Sequence, residues 1–565
     1  MTSERSRCPS GQKPTQSSPK DIFGGFAFVL LSAFIHHHQL LLSSFIVCFM
    51  SSQSPHSPET SVESVVDASL PPTHPAKSDA VTDTDTSSTT SEDDLSTREA
   101  SFGEVWKFSI PLIISQASMS LLGLVDTFFM GMIGPEAQSA VGFGGPSVFA
   151  ILSLFFGLFS GLTTFVSQYF GAKRHKDCGK MLWQMLYLAL GIGLLCTLSI
   201  APLVHWLLIV MGTNAEIFDG TYAYMHIRML VCPIMFTAFT LLSFLRGIGD
   251  MKTPAIVSII TVLINIPLTY VFAFGFGPIP AYGVAGAAVG TVISQGIEML
   301  LYASGVFNRK NPEQFGTRKP VLFFRKNDVT RADADIEETP SSARYALPIP
   351  QGYAKIARIA LPVGICWAIE NYGWLLYGLY ITTLPKEQSA ANAIVQIFMH
   401  VAWMPGLAIS IATTALVGQY MGANNVRSAE KSANYAIIMS IGCLVTLSVI
   451  LFLLRYPIAH LFSNDPAVID ITVKLFYFAI VYQVFDAAGV TTSGALRGAG
   501  DTRFPMLICF LSIWGIMIPL MFYLDHAYQF GIYGAWVASS FAIIVCGCLY
   551  YARFKRGKWK KMKIA

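Results

Sequence analysis

The chain has 565 residues, 53% of them hydrophobic and only 13% charged, with a mean hydropathy of +0.52 and a net charge of +4. Soluble globular proteins carry roughly 25% charged residues, so too little polar surface is left here to wrap a water-soluble core. The apolar runs reach roughly 20 residues or more, enough to cross about 30 Å of hydrocarbon, and they are continuous, not alternating, which excludes a β-barrel. An all-α polytopic membrane protein follows.

Residues 1–21 are polar, and 22–49 form an apolar stretch interrupted by His36, His37 and His38. That stretch reads as a signal-anchor, an extra helix, or residues upstream of a start at Met50. No second cluster completes a metal site with the histidines. Residues 51–101 are rich in Ser, Thr, Pro, Asp and Glu, so disorder is expected there, and 1–101 reads as an N-terminal extension. From Phe102 onward the pattern predicts twelve spans, near 108–131, 143–168, 182–209, 222–245, 254–276, 282–307, 358–383, 394–419, 433–455, 471–496, 504–524 and 531–552. The polar linker 308–357 divides them into a first lobe, 102–307, and a second, 358–552, ahead of a basic tail, 553–565. The ten cysteines are scattered, apart from Cys546 and Cys548, and read as small apolar side chains.

The two halves are a repeat with an offset of 251 residues. Pro111 maps onto Pro362, and Gln168-Tyr169-Phe170-Gly171-Ala172 onto Gln419-Tyr420-Met421-Gly422-Ala423. Leu245-Arg246-Gly247-Ile248-Gly249-Asp250 maps onto Leu496-Arg497-Gly498-Ala499-Gly500-Asp501. Six spans per half is an even number, so both halves enter the membrane from the same side, as pseudo-twofold lobes around an axis along the membrane normal. One set of loops carries Lys173, Arg174, Lys176, Lys180, Arg246, Lys252, Arg427, Lys431, Arg497 and Arg503, and the basic tail lies on that side. The positive-inside rule makes this side, with the C-terminus, cytoplasmic. The same rule explains the tail without nucleic acid.

A carboxylate in hydrocarbon costs about 2.5–3.5 kcal/mol even on insertion scales. Three stand well inside spans: Asp126, Glu370 and Asp486, whereas Glu298 is close enough to the cytoplasmic end to reach headgroups. At the helical rise, Glu370 lies roughly 18 Å past Arg358 and Asp486 roughly 16 Å before Arg497, both near the midplane. Tyr482 shares the helix face of Asp486. With Asn371 these residues could coordinate Na⁺ through oxygen or accept a proton; the acids could also merely bond neighbouring helices. Asp126 maps onto Tyr377 and lies about 10 Å nearer the outer face. It reads either as a coupling or substrate-binding acid or as an interfacial aspartate that reaches water. The acids do not obey the repeat: Glu370 maps to Met119 and Asp486 to Met235. Trp367, Trp374 and Tyr372 could stack on an organic cation. Gly157–Gly161 and Gly286–Gly290 have small-xxx-small spacing and mark close helix packing. No Walker motif occurs, and no His/Asp or DxD cluster supports a membrane-embedded transferase, so the chain does not read as an enzyme.

These residues resemble the MATE (multidrug and toxic compound extrusion) transporters, in their bacterial NorM-type branch. The matching pieces are Pro111 with Val125-Asp126-Thr127, Gln168 to Ala172, Leu361-Pro362 with Glu370, Tyr482 with Asp486, and Gly494-Ala495-Leu496-Arg497-Gly498, across about 102–555. Leu375 stands where animal and plant members carry a second glutamate. The resemblance implies a V-shaped two-lobe (MATE/MOP-like) fold, a monomer in the plasma or inner membrane, exporting small organic cations against Na⁺ or H⁺ without a cofactor. It implies that Glu370, Asp486 and Tyr482 form a cation site in the second lobe and Asp126 one in the first. A lipid-linked oligosaccharide flippase of the same superfamily is the alternative, although it would want basic residues in the cavity.

Overall fold

The computed structural model describes residues 95–199, 201–210, 213–307, 312–317, 349–562 and 564. The apolar segment 22–49 and most of 51–101 and 308–357 lie outside the described residues. The described chain is helical, with a single isolated β-bridge between Phe276 and Ile279.

The first lobe comprises α1 (Phe102–Ile133), α2 (Pro135–Ser160) continued by α3 (Leu162–Gly171), α4 (His175–Ser199), α5 (Val204–Val210), α6 (Ala215–Leu230), α7 (Cys232–Gly247), α8 (Lys252–Phe274) and α9 (Gly283–Phe307). After the short α10 (Pro312–Phe315), the second lobe comprises α11 (Ile349–Ile381), α12 (Lys386–Gly422), α13 (Val426–Leu453), α14 (Arg455–Phe462), α15 (Pro466–Ala499) and α16 (Arg503–Phe510). A π-helical segment, Leu511–Met517, then leads into α17 (Ile518–Tyr528) and α18 (Gly531–Lys555). With α2–α3 and α16–α17 counted as single runs, eleven stretches are long and apolar enough to span, and the bent pair α6–α7 makes a twelfth. The expected spans are all present, but α2, α12 and α11 begin at Pro135, Lys386 and Ile349, well before 143, 394 and 358.

Two expected spans are not continuous. The third, 182–209, breaks after Ser199 and resumes as a 3₁₀ turn, Ala201–Leu203, and α5. Pro202 in that turn has no N–H to continue the ladder. The fourth bends by 58° between α6 and α7. Pro233 supplies the cause, and the Thr197 hydroxyl of α4 lies 3.2 Å from both the Met229 and Leu230 carbonyls that the break exposes. In the second lobe Val484 stands in place of Pro233, and α15 runs unbroken.

The repeat governs the backbone closely. The helix starts Pro135 and Lys386, His175 and Val426, Ala215 and Pro466, and Lys252 and Arg503 keep the offset. Lys173 and Asn424 share a left-handed φ of 59°, and Gly249 and Gly500 follow at 85° and 94°. At Gly249 and Gly500 the missing Cβ makes that conformation cheap.

Close approaches between the lobes gather at the basic end of the bundle. A Cβ on Gly157 would overlap the Gly364 backbone, and one on Gly161 would strike Ala360. Gly171 sits against the Gln419 carbonyl, and its repeat mate Gly422 against that of Gln168. Gln168 Nε2 donates to the Gly498 carbonyl at 2.9 Å, and Gln419 Nε2 to the Gly247 carbonyl at 3.1 Å. These two bonds exchange under the repeat and close the pseudo-twofold axis. Beside them the charge is inverted. Tyr420 donates to Glu104 at 2.6 Å, whereas the equivalent Lys355 donates to Tyr169 at 3.0 Å and to the Ile564 carbonyl. The tail is docked here: Trp559 stacks on Phe554 at 5.2 Å, Lys560 pairs with Glu430 at 2.7 Å, and Ile564 N–H donates to Gln168 at 3.1 Å.

Candidate functional site

Asp126, on α1, is only 2% exposed. Burial therefore overturns the reading of an interfacial aspartate that reaches water. Its carboxylate accepts from Thr291 of α9 at 2.7 Å and from Thr269 of α8 at 3.2 Å. Asn265 Nδ2 donates to Thr291 at 3.4 Å, while its Oδ1 is buried without a partner. Helices α8 and α9 approach closely enough to build this cage because Gly286 sits on the Phe272 carbonyl and Gly290 on the Thr269 backbone. The charge of Arg228, at the end of α6, also acts on Asp126, and its guanidinium lies 5.9 Å from the Tyr224 ring. The cage residues escape a sequence reading that looks for charges. The available signal is neutral: Thr261, Asn265 and Thr269 recur every four residues in an apolar helix.

In the second lobe Glu370 (α11) and Asp486 (α15) are half-buried, and their charges act on each other. The midplane arithmetic thus brings together residues that are remote in sequence. The charge of Asp486 also reaches Tyr482, whose ring packs 6.4 Å from Trp536. Trp536 Nε1 donates to Asn392 Oδ1 at 3.0 Å, an acceptor that Tyr377 shares at 3.3 Å. Asn371 Nδ2 donates to the Trp367 carbonyl, one turn back, at 2.8 Å, and its Oδ1 is the atom that a cation could meet. Arg497, in the last turn of α15, places its charge within reach of Glu370 and donates to Ser410 at 3.2 Å.

The two tryptophans separate. Trp367 crosses the lobe seam, with its ring 6.4 Å from Phe149 and 6.3 Å from Phe239. Trp374 instead packs on Tyr377 at 5.4 Å within the second-lobe core. Tyr372 is exposed. Glu298, expected near the cytoplasmic end, is half-buried, accepts from Tyr302 at 3.1 Å and lies in the field of the buried Arg246. Among the described residues no three His, Cys, Asp or Glu side chains converge as metal ligands.

The MatE family model matches this chain twice, at residues 111–271 and 362–523, one match in each half of the repeat. The chain belongs to the MatE family. Among curated relatives of this MATE chain, a probable multidrug resistance protein NorM of Thermotoga maritima is 29% identical over 467 residues, covering 82% of this chain and 94% of that protein. The probable multidrug resistance protein YoeA of Bacillus subtilis is 26% identical, covering 84% and 98%. Among solved structures, a MOP superfamily transporter from Pyrococcus furiosus superposes with a TM-score of 0.70 at 21% identity, covering 83% of this chain and 98% of that one. A MATE protein crystallised in a bent conformation gives 0.68 at 21%, covering 81% and 96%. The likeness extends over almost the whole length of these proteins, and with it the twelve-span, two-lobe fold.

Proposed function

We propose that the chain is a secondary antiporter that exports small organic cations in exchange for Na⁺ or H⁺. The observation that carries this reading is the pair Glu370 and Asp486, two half-buried carboxylates whose charges act on each other in a chain of the MatE family. Two like charges at low dielectric repel, so a cation arriving between them is favoured. Their oxygens, with the Tyr482 hydroxyl and Asn371 Oδ1, make a hard-donor set suited to Na⁺, and either carboxylate can equally take a proton. Asp126, with Thr269, Thr291 and the unspent Asn265 Oδ1, makes a second such set in the first lobe.

Coupling requires that the bound cation favour one lobe arrangement over the other. The reciprocal glutamine bonds and the glycine contacts join the lobes at the basic end, so a transport cycle must break them before that end can open. By the Lys and Arg bias the basic end faces the cytoplasm, and the protein works as a monomer in the cell membrane. Trp367, on the seam beside the Phe149 and Phe239 rings, is the aromatic best placed to meet an organic cation.

Proteoliposomes loaded with a fluorescent organic cation test the reading under separately imposed Na⁺ and pH gradients. Uptake or release should follow one gradient, and Glu370→Gln or Asp486→Asn should abolish it with the protein still folded. Undiminished flux in both variants would remove the pair from the mechanism.

A further inference from the structure

The first lobe continues inward from the Asp126 cage as a file of polar side chains. On α8, Asn265, Thr261 and Ser258 follow one another at intervals of four and three residues, all buried. On α9, Thr291, Gln295 and Glu298 keep the same intervals, the first buried and the other two half-buried. That spacing puts each set on one helix face, and the two helices are pressed together at Gly286 and Gly290. From Thr291 to Glu298 the file runs about 10 Å toward the basic end. At its lower end the Ser258 and Ser115 hydroxyls are 2.8 Å apart, and Tyr302 donates to Glu298. Among the described residues three polar groups along it find no hydrogen-bond partner: Asn265 Oδ1, Gln295 Oε1 and, beside Glu298, Nε of Arg246, a residue 5% exposed.

The fold does not require the asparagine and the acid of this file. At the same places the second lobe carries Ile516 for Asn265, Ala542 for Thr291 and Leu549 for Glu298, while Ser512 stands for Thr261 and Cys509 and Cys546 for Ser258 and Gln295. Burying unsatisfied polar groups costs roughly 1–3 kcal/mol each, and Ile516 and Leu549 of the sister lobe show that the frame packs without an amide at 265 or an acid at 298.

We propose that Glu298 is a second cation-binding station, which receives the coupling cation from Asp126 along the Asn265–Gln295 file and passes it to the basic end. This rests on the antiporter reading above. Arg246 gives the station its character. The guanidinium partly neutralises the carboxylate, so an arriving cation is held weakly and leaves easily, which conduction through successive sites requires. Bare acid at that depth would trap it. Na⁺ and H⁺ share this chemistry, and the choice between them is read from the gradient that drives flux.

The test compares Glu298→Gln, Glu298→Asp, Gln295→Leu and the double variant Arg246→Gln/Glu298→Gln in proteoliposomes, with Asp126→Asn as reference, under separate Na⁺ and pH gradients. Glu298→Gln should slow cation-driven flux at least tenfold while equilibrium binding of the fluorescent cation and the melting temperature stay unchanged. Glu298→Asp should recover most of the rate. Gln295→Leu, which leaves both charges in place, should slow flux severalfold, and it decides the matter if Glu298→Gln fails to fold. The double variant should remain slow. Wild-type flux in Glu298→Gln, or in Gln295→Leu should the former not fold, would overturn the proposal, as would recovery in the double variant, which marks a merely structural ion pair. If Asp126→Asn and Glu370→Gln also transport like wild type, the antiporter reading itself falls.

Discussion

The two lobes share a backbone and divide the chemistry. Their helix starts keep one offset, their turns repeat the same left-handed residues, and Gln168 and Gln419 clasp the opposite lobe in the same way. Yet Asp126 is caged by threonines and an asparagine in the first lobe, where the second has Tyr377 bonded to Asn392. The second lobe instead brings two acids together where the first has Met119 and Met235. Duplication therefore fixed the frame, and the polar side chains diverged within it. A single cation site copied into both lobes would have left acids at matching positions.

That contrast can be broken most forcefully at the acids. Asp126→Asn should cut coupled flux at least tenfold with the protein still folded, because an isosteric amide fills the same space and still accepts from one threonine but loses the charge. Transferring the second-lobe residue, Asp126→Tyr, should not rescue it. A smaller effect is expected from Thr291→Val. Hydrogen bonds to charged groups contribute about 2 kcal/mol, so the apparent cation affinity should fall roughly thirtyfold at constant maximal rate, read from flux against cation concentration. At the seam, Gly157→Leu should disfavour the closed basic end by about 1–3 kcal/mol, the usual range for overpacking. Thiol labelling of a cysteine introduced at Ala360 should then accelerate.

The smallest effects sharpen the symmetry. Gln168→Leu and Gln419→Leu each remove one bond between the lobes worth about 1 kcal/mol and should lower the melting temperature comparably. Gln168→Leu should cost slightly more, since Gln168 also accepts from the Ile564 N–H.

Much of this was legible in the sequence because its signals are one-dimensional. An offset of 251 residues and runs of apolar residues gave the lobes and the twelve spans. Depth counted in residues from Arg358 and Arg497 put Glu370 and Asp486 at one level. Small-residue spacing marked Gly157 and Gly286 for close helix packing, and the fold places the first on the seam and the second against α8. What stayed hidden depends on which faces meet. The threonines and Asn265 around Asp126 look like ordinary membrane-tolerated polar residues until α8 and α9 are docked. For Glu298, distance along a helix does not reveal that Arg246 and Tyr302 stand beside it. The breaks at Pro202 and Pro233 were marked by proline, but proline also lies inside continuous helices at Pro111, Pro267 and Pro405. Only neighbours such as Thr197 distinguish the two outcomes. Basic residues of the tail likewise carry no hint that Trp559 is buried against Phe554.

The central claim is that the second-lobe acids bind the coupling cation and thereby change the affinity for an organic cation. Dye bound to the purified protein, followed by fluorescence anisotropy during a titration with Na⁺ and separately with acid, tests it most directly. The account predicts that one of the two titrants releases the dye from the wild type and that Glu370→Gln/Asp486→Asn keeps dye binding but loses the release. Release that proceeds unchanged in the double variant would contradict it.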